Sequence, residues 1–437
     1  MCHATDILGN GMSFLNLSKI DGRAGLWRRL GPGLITGAAD DDPSGIATYA
    51  QAGAQFGFTL GWTLFLSYPL MVAIQAISAR IGRTTGKGIA ANLRAHYPSW
   101  LVQIIVILLF AANVLNLGAD LGAMAEAASL MVPLPAWLYI VAFALLCTAG
   151  QVFLQHTQYA AALKWLTASL LAYFVTLCVI HVDWGAFFKG LLWPHLTLDR
   201  RFWLMVVAIL GTTISPYLFF WQAAQEVEDT KADPRREPLL EKPAQAPDAL
   251  QRIRFDTMVG MALSNLVALA IMATAAATLH ANGNREIETA AQAAQALRPL
   301  AGEAAAALFA LGIIGTGLLS VPVLAGSAAY ALGEVRRWPV GLSRPPRHAK
   351  AFYGAIAAAT VLGSLENIIS LKPLEALVWA AVLNGIVATP IMALIVLLSA
   401  RKSTLGRFSI SRRLNVAGWI ATAVMGAASL VFALLSL

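Results

Sequence analysis

Residues 37–50, GAADDDPSGIATYA, place three carboxylates, Asp40, Asp41 and Asp42, inside an apolar run that continues through Ile46, Ala47 and Tyr49. An ionised carboxylate offers only acceptor oxygens, so at membrane depth it answers to a cation and marks a functional site by default. Pro43 disfavours ordinary helix at the residue before it and Gly45 adds backbone freedom, which predicts a break at Asp42-Pro43-Ser44-Gly45. GTTISPYLFFWQ (211–222) repeats the device, with Thr212, Thr213 and Ser215 directly before Pro216. A solvated interface would hold Asp40–Asp42 without chemistry if the apolar run began ten residues earlier. Residues 17–30 are too polar for that. Asp42 therefore lies about eleven residues, roughly 16 Å, into the run.

The elements that position these residues follow from composition. Hydrophobic residues make up 58% of the 437, charged residues 12%, and the mean hydropathy is +0.66. A soluble domain carries about 25% charged residues. The chain reads as an all-α integral membrane protein, since no alternating barrel pattern is visible. Eleven apolar runs of spanning length are centred near residues 42, 70, 115, 144, 171, 214, 267, 318, 360, 387 and 425. Residues 1–30 are polar and basic and read as a cytoplasmic tail with no signal peptide. With that tail inside, all of the 31 Lys and Arg except Lys189, Arg200, Arg201, Arg285, Arg298 and Lys372 fall on the cytoplasmic side. The net charge of +8 is then a topology signal, and no nucleic-acid partner is implied. Plasma (inner) membrane localisation follows as the expectation.

The breaks fall in spans 1 and 6, the first member of each half if two five-span repeats precede one extra helix. The expected units are the tail 1–30, a first repeat 31–183, an external loop 184–200, a second repeat 201–399, and a cytoplasmic loop with the eleventh helix, 400–437. The second repeat contains a cytoplasmic linker, 227–253, with several prolines and no apolar periodicity, and an external loop, 281–300, able to form a short helix. Paired broken helices at matching positions point to the midplane site of a transporter. An intramembrane enzyme would need a nucleophile with its base or a His-rich metal set, and the spans contain no HExxH, GxSxG or His/Cys cluster. Cys2, Cys147 and Cys178 are isolated fillers. No resident cofactor and no obligatory protein partner is evident.

GPGLITGAADDDPSGIATYAQAGAQFG (31–57) resembles the first-span signature of the Nramp family of divalent-metal transporters, and ILGTTISPYLFFWQ resembles its sixth-span stretch with Pro216 kept. The resemblance implies a leucine-transporter-type fold of inverted five-helix repeats, broken at helices 1 and 6, working by alternating access. It also implies a metal site. Asp42 and Pro43 match the family's Asp and Pro, while Ser44 stands for its Gly and Gly45 for its metal-binding Asn. Thr212 stands where a coordinating Ala carbonyl is usual, Ser215 replaces the coordinating Met, and Tyr217 replaces the proton-pathway His. Asp120 matches a carboxylate linked to proton release, whereas Asn113 and Ala123 stand where further acids occur. Asn384 in the tenth span joins the candidate ligands, and Asp41 the lining.

A thioether favours transition metals, whereas hydroxyl, carboxylate and water oxygens suit hard ions. Ser215 in place of Met thus favours a divalent cation such as Mg2+, and Gly45 with Ser215 leaves room for retained water. A phenol at position 217 rarely titrates near neutrality, so weak or absent proton coupling is expected. Two alternatives stand beside this reading: a proton-coupled Mn2+/Fe2+ transporter of the ordinary type, and a sodium-coupled organic-solute symporter. Asp42 opposes an anionic substrate for the latter. Asp120 has the further reading of a partner for Asn113 or Asn116. Gln222, Gln225 and Glu226 follow the second break by two or three turns and have two readings, lining of the inner vestibule or, as their nearness to the cytoplasmic end favours, a solvated face; Pro322 and Pro390 are expected as packing prolines.

Overall fold

The computed structural model describes residues 32–153, 170–367 and 372–437. The tail 1–30, Cys2 and Lys164 lie outside the described residues. The chain runs α1 (Pro32–Asp40), α2 (Pro43–Phe56), α3 (Gly61–Thr85), α4 (Ile89–His96), α5 (Ser99–Ser129), α6 (Ala136–Phe153), α7 (Leu171–Val179) and α8 (Trp184–Leu192). It continues with α9 (Arg200–Thr213), α10 (Pro216–Ala232), α11 (Ala246–Ala275), α12 (Ala305–Arg336), α13 (Lys350–Glu366), α14 (Pro373–Ala400) and α15 (Arg412–Leu434).

Among the described residues, eight helical segments are long and apolar enough to cross a membrane. The other three expected runs differ for physical reasons. The first is cut into α1 and α2, of nine and fourteen residues; α13 has only seventeen; the fifth is described only from its later part, around α7.

Both expected breaks are present, and both use the residue before a proline. Asp42 is extended (φ −69°, ψ 170°) with Pro43 opening α2, and Ser215 is extended (φ −76°, ψ 134°) with Pro216 opening α10. The caps differ. Asp42 accepts the Gly45 amide, as an N-cap should, whereas the Ser215 side chain makes no cap bond. Pro322 and Pro390 sit inside continuous α12 and α14, so they do not break their helices.

The broken helices lie at the centre of the packing. α1 rests on α11 and α10, α2 on α11, α14 and α9, and α5 packs against α12 and α14. Backbone contact sets the α1–α11 distance: a Cβ at Gly37 would stand 2.3 Å from the Gly260 carbonyl oxygen, so only glycine fits.

Two sequence expectations are corrected here. The linker 227–253 is mostly helical, because α10 runs to Ala232 and α11 begins at Ala246. Between them Leu239 is fully buried against Ala246 and Ala249, and the Arg83 guanidinium donates to the Glu237 carbonyl and to Gln245 Oε1. Those hydrogen bonds and apolar contacts order a segment whose composition reads as unstructured. Gln222, Gln225 and Glu226 are buried at 1%, 5% and 0% exposure and do not form a solvated face. Gln222 Oε1 accepts the Thr36 hydroxyl, and Glu226 pairs with Arg252 of α11, so α1 and α11 cover this face of α10. The loop 281–300 holds short helices at Ala290–Ala294 and Arg298–Ala301. Cys147 is buried and Cys178 exposed.

Candidate metal site

The break between α1 and α2 turns the Asp42 carboxylate into a hub. Its Oδ1 accepts the Gly45 amide at 2.7 Å and the Ser44 hydroxyl at 2.8 Å. Its Oδ2 accepts the Asn116 amide of α5 at 3.1 Å and lies 3.3 Å from the Tyr217 phenol of α10. The phenol has one proton, and it also lies 3.0 Å from the Ala39 carbonyl at the end of α1. One carboxylate thereby ties α1, α2, α5 and α10 together at the break.

The second break approaches from α9. A Cβ on Gly45 would sit 3.2 Å from Thr212 Oγ1 and 3.3 Å from the Tyr49 ring, so Gly45 and Thr212 are neighbours. The space that Gly45 leaves is therefore already filled by Thr212 and Tyr49. The Ser215 hydroxyl turns back along α9, donating to the Gly211 carbonyl at 2.7 Å and to that of Thr212 at 2.8 Å. Asn384 of α14 is fully buried, and neither its amide nitrogen nor its oxygen has a hydrogen-bond partner among the described residues. The next residue, Gly385, packs on Gly211, which sets Asn384 beside the α9 break.

Asp120 is not held by Asn113 or Asn116. It accepts the Ser320 hydroxyl of α12 at 2.8 Å and faces the Ser44 backbone. Asn113 instead donates to the Leu324 carbonyl and Ser327, and Asn116 to Asp42. Asp41 turns to the other side of the break, where it and Asp40 share the Ser264 hydroxyl of α11. The structure thus gathers Asp42, Ser44, Gly45, Thr212 and Tyr217, brings Asp120 beside Ser44, and carries Asp41 to α11. Sequence reasoning missed Ser320 and Ser264, which are ordinary serines inside apolar helices. It noticed Asn116 only as a partner of Asp120.

Asp42, Thr212, Ser215, Tyr217, Asn384 and Asp120 are all exposed by 1% or less, so the site is shut from solvent. On one face a cavity of about 320 Å³ is lined by Ala47, Gln51, Met205, Glu286, Glu288 and Lys372, beginning within the same turn of α2 as Gly45. On the other face the buried Glu226–Arg252 pair stands between α10 and α11. Among the described residues no three His, Cys, Asp or Glu side chains converge as a resident metal centre would require. The oxygens gathered here are carboxylate, hydroxyl, amide and carbonyl, all hard in type.

Residues 33–435 match the family model described as Nramp, natural resistance-associated macrophage protein-like. The divalent metal cation transporter MntH of Yersinia pestis is 31% identical over 299 residues, covering 67% of this chain and 69% of that protein. The MntH of Klebsiella pneumoniae is 27% identical over 407 residues, 91% of each chain. The fold matches that of the Eremococcus coleocola manganese transporter with a TM-score of 0.72 at 16% identity, over 94% of this chain and 88% of that one. It also matches Mhp1, a nucleobase-cation-symport-1 family transporter in a closed conformation, with a TM-score of 0.61 at 14% identity over 92% and 93%. This is the leucine-transporter-type architecture, with its breaks in helices 1 and 6. By its sequence from residue 33 to residue 435 and by its fold, the chain belongs to the Nramp family of membrane transporters and is not an enzyme.

Proposed function

We propose that this transporter carries a hard divalent cation, Mg2+ in preference to Mn2+, by alternating access and with weak or absent proton coupling. The relatives named above are divalent metal cation and manganese transporters, which makes a divalent cation the cargo class. Ser215, where the family pattern has methionine, carries the choice within that class. The side chains in hydrogen-bond reach of Asp42 are a serine, an asparagine and a tyrosine, and none of them is a thioether or an imidazole. Without a soft donor the site loses its means of preferring transition metals over abundant magnesium.

In this reading Asp42, Ser44, Thr212, Ser215, the Gly45 backbone and Asn384 surround the ion, with Asp120 and Tyr217 lining the site. Pro43 and Pro216 are the fixed ends about which the half-helices move. Because Thr212 and Tyr49 fill the space beside Gly45, an ion that keeps water enters only when α2 and α9 part. The cavity beside Ala47, Gln51 and Met205 is the approach from one side, and the face sealed by Glu226 and Arg252 is the exit. We place the N-terminal tail in the cytoplasm of a plasma-membrane protein, with repeats at 31–183 and 201–399.

Purified protein in liposomes, loaded with ion-sensitive and pH-sensitive dyes, tests the cargo. Mg2+ entry without internal acidification is the expected result. Mn2+ entry that Mg2+ does not inhibit, with protons following, would show that the ordinary Nramp chemistry operates without the methionine and the histidine.

A further inference from the structure

A polar stripe runs along α5 where it passes the first break. Asn113, Asn116 and Asp120 stand three and four residues apart, which sets them on one helical face, and each is exposed by 1% or less. Two of them are engaged by α12: Asn113 donates to the Leu324 carbonyl and to Ser327, and Asp120 accepts the Ser320 hydroxyl. Asn116 turns to the break instead. Its Nδ2 donates to Asp42 Oδ2 at 3.1 Å, and its Oδ1 is buried with no hydrogen-bond donor among the described residues.

Turning the amide over gives no relief. Asp42 already accepts the Gly45 amide and the Ser44 hydroxyl, so Asn116 Oδ1 would face Asp42 Oδ2 as acceptor against acceptor. A polar atom left so in the interior is costly unless something reaches it. The serine hydroxyls nearest the breaks are committed, Ser44 to Asp42 and Ser215 to the Gly211 and Thr212 carbonyls. By contrast, Thr212 Oγ1 from α9, Asn384 Oδ1 from α14 and Asn116 Oδ1 from α5 are buried and unpartnered among the described residues. Gly45 has no side chain with which to add another oxygen from the first break.

Given a transported cation at Asp42, as the reading above has it, we propose that Asn116 is a further ligand of that cation. Its Nδ2 steadies the Asp42 carboxylate while its Oδ1, on the same planar group, coordinates the ion. An amide oxygen is a hard donor of the kind that Mg2+ and Ca2+ take. A carboxylate or a hydroxyl at this position would not supply the same pair of a donor to Asp42 and a separate oxygen for the ion.

The KM for uptake into liposomes by the full-length chain tests it, with Mg2+ and Mn2+ read in parallel. Asn116→Leu has the same branched shape and no oxygen, and is expected to raise the KM for Mg2+ about tenfold or more. Asn116→Asp keeps an oxygen at the same reach and loses the donor to Asp42; its KM is expected at or below the wild-type value. A wild-type KM in Asn116→Leu overturns the ligand. So does an Asn116→Asp whose KM rises as far as that of Asn116→Leu, because the amide would then act only by holding Asp42. If Asn116→Leu does not fold, Asn116→Asp decides alone. An unchanged KM in Asp42→Asn strikes instead at the cation site itself. Uptake of Mn2+ in place of Mg2+ by the wild type strikes at the cargo, and the same two variants are then compared on Mn2+.

Discussion

Asp42→Asn is expected to cut Mg2+ uptake in liposomes at least about 100-fold, because even an outer-shell partner of a metal ligand is worth 10–100-fold. Asparagine is chosen because it preserves the architecture. Its side-chain oxygen can still accept the Gly45 amide, and asparagine is as good an N-cap as aspartate. What disappears is the charge, together with the acceptor that Asn116 and Tyr217 address from α5 and α10. Asp42→Ala also removes the cap and is expected to cost about 1 kcal/mol of stability besides. Thermal unfolding near the wild-type temperature for Asp42→Asn, with transport gone, assigns the carboxylate to the cation. Uptake that survives in Asp42→Asn would mean that Asp42 is chiefly a helix cap.

Ser215→Met is expected to move the Mg2+/Mn2+ preference about tenfold or more toward Mn2+. Two physical changes act in the same direction. The new sulfur is a soft donor beside the break. Loss of the hydroxyl also frees the Gly211 and Thr212 carbonyls that Ser215 now engages at 2.7 and 2.8 Å. A freed Thr212 carbonyl can then face an ion directly, as the family pattern would have it. Competition of each metal against uptake of the other reads the ratio; a variant with wild-type preference would show that selectivity resides elsewhere, in Asn384 or in the approach.

Much of this was legible in the sequence, because prolines and charges in apolar runs leave few structural options. Asp42-Pro43 and Ser215-Pro216 marked both breaks: a lone proline is carried inside a helix at Pro322 and Pro390, and it is the clusters of polar residues directly before Pro43 and Pro216 that set these two apart. What could not be read was anything set by packing between distant segments. Ser264 and Ser320 look like any small residue in a membrane helix, and only the meeting of α11 with α1, and of α12 with α5, makes them partners of Asp40, Asp41 and Asp120. The charged run after Glu226 reads as a solvated linker because its ordering depends on Arg83 and Arg252, the first more than a hundred residues away in sequence. Gly45 reads as open space, and the ring of Tyr49 one turn along α2 fills it.

The two faces of the site are fastened by different kinds of charge pair. Over the cavity beside α2, Arg201–Glu286 and Lys372–Glu288 join side chains that are 78% and 64%, and 58% and 53%, exposed. On the opposite face Glu226 is wholly buried and Arg252 only 16% exposed. Dissolved salt therefore reaches one fastening and not the other, since the screening length falls from about 10 Å at 0.1 M to about 3 Å at 1 M and buried pairs are screened far less. Thiol labelling of Met205→Cys should quicken as ionic strength rises, while that of Gln225→Cys should not; equal responses would refute the asymmetry. For such a carrier the saltiness of its surroundings is a one-sided lever, loosening one doorway while the other keeps its own time.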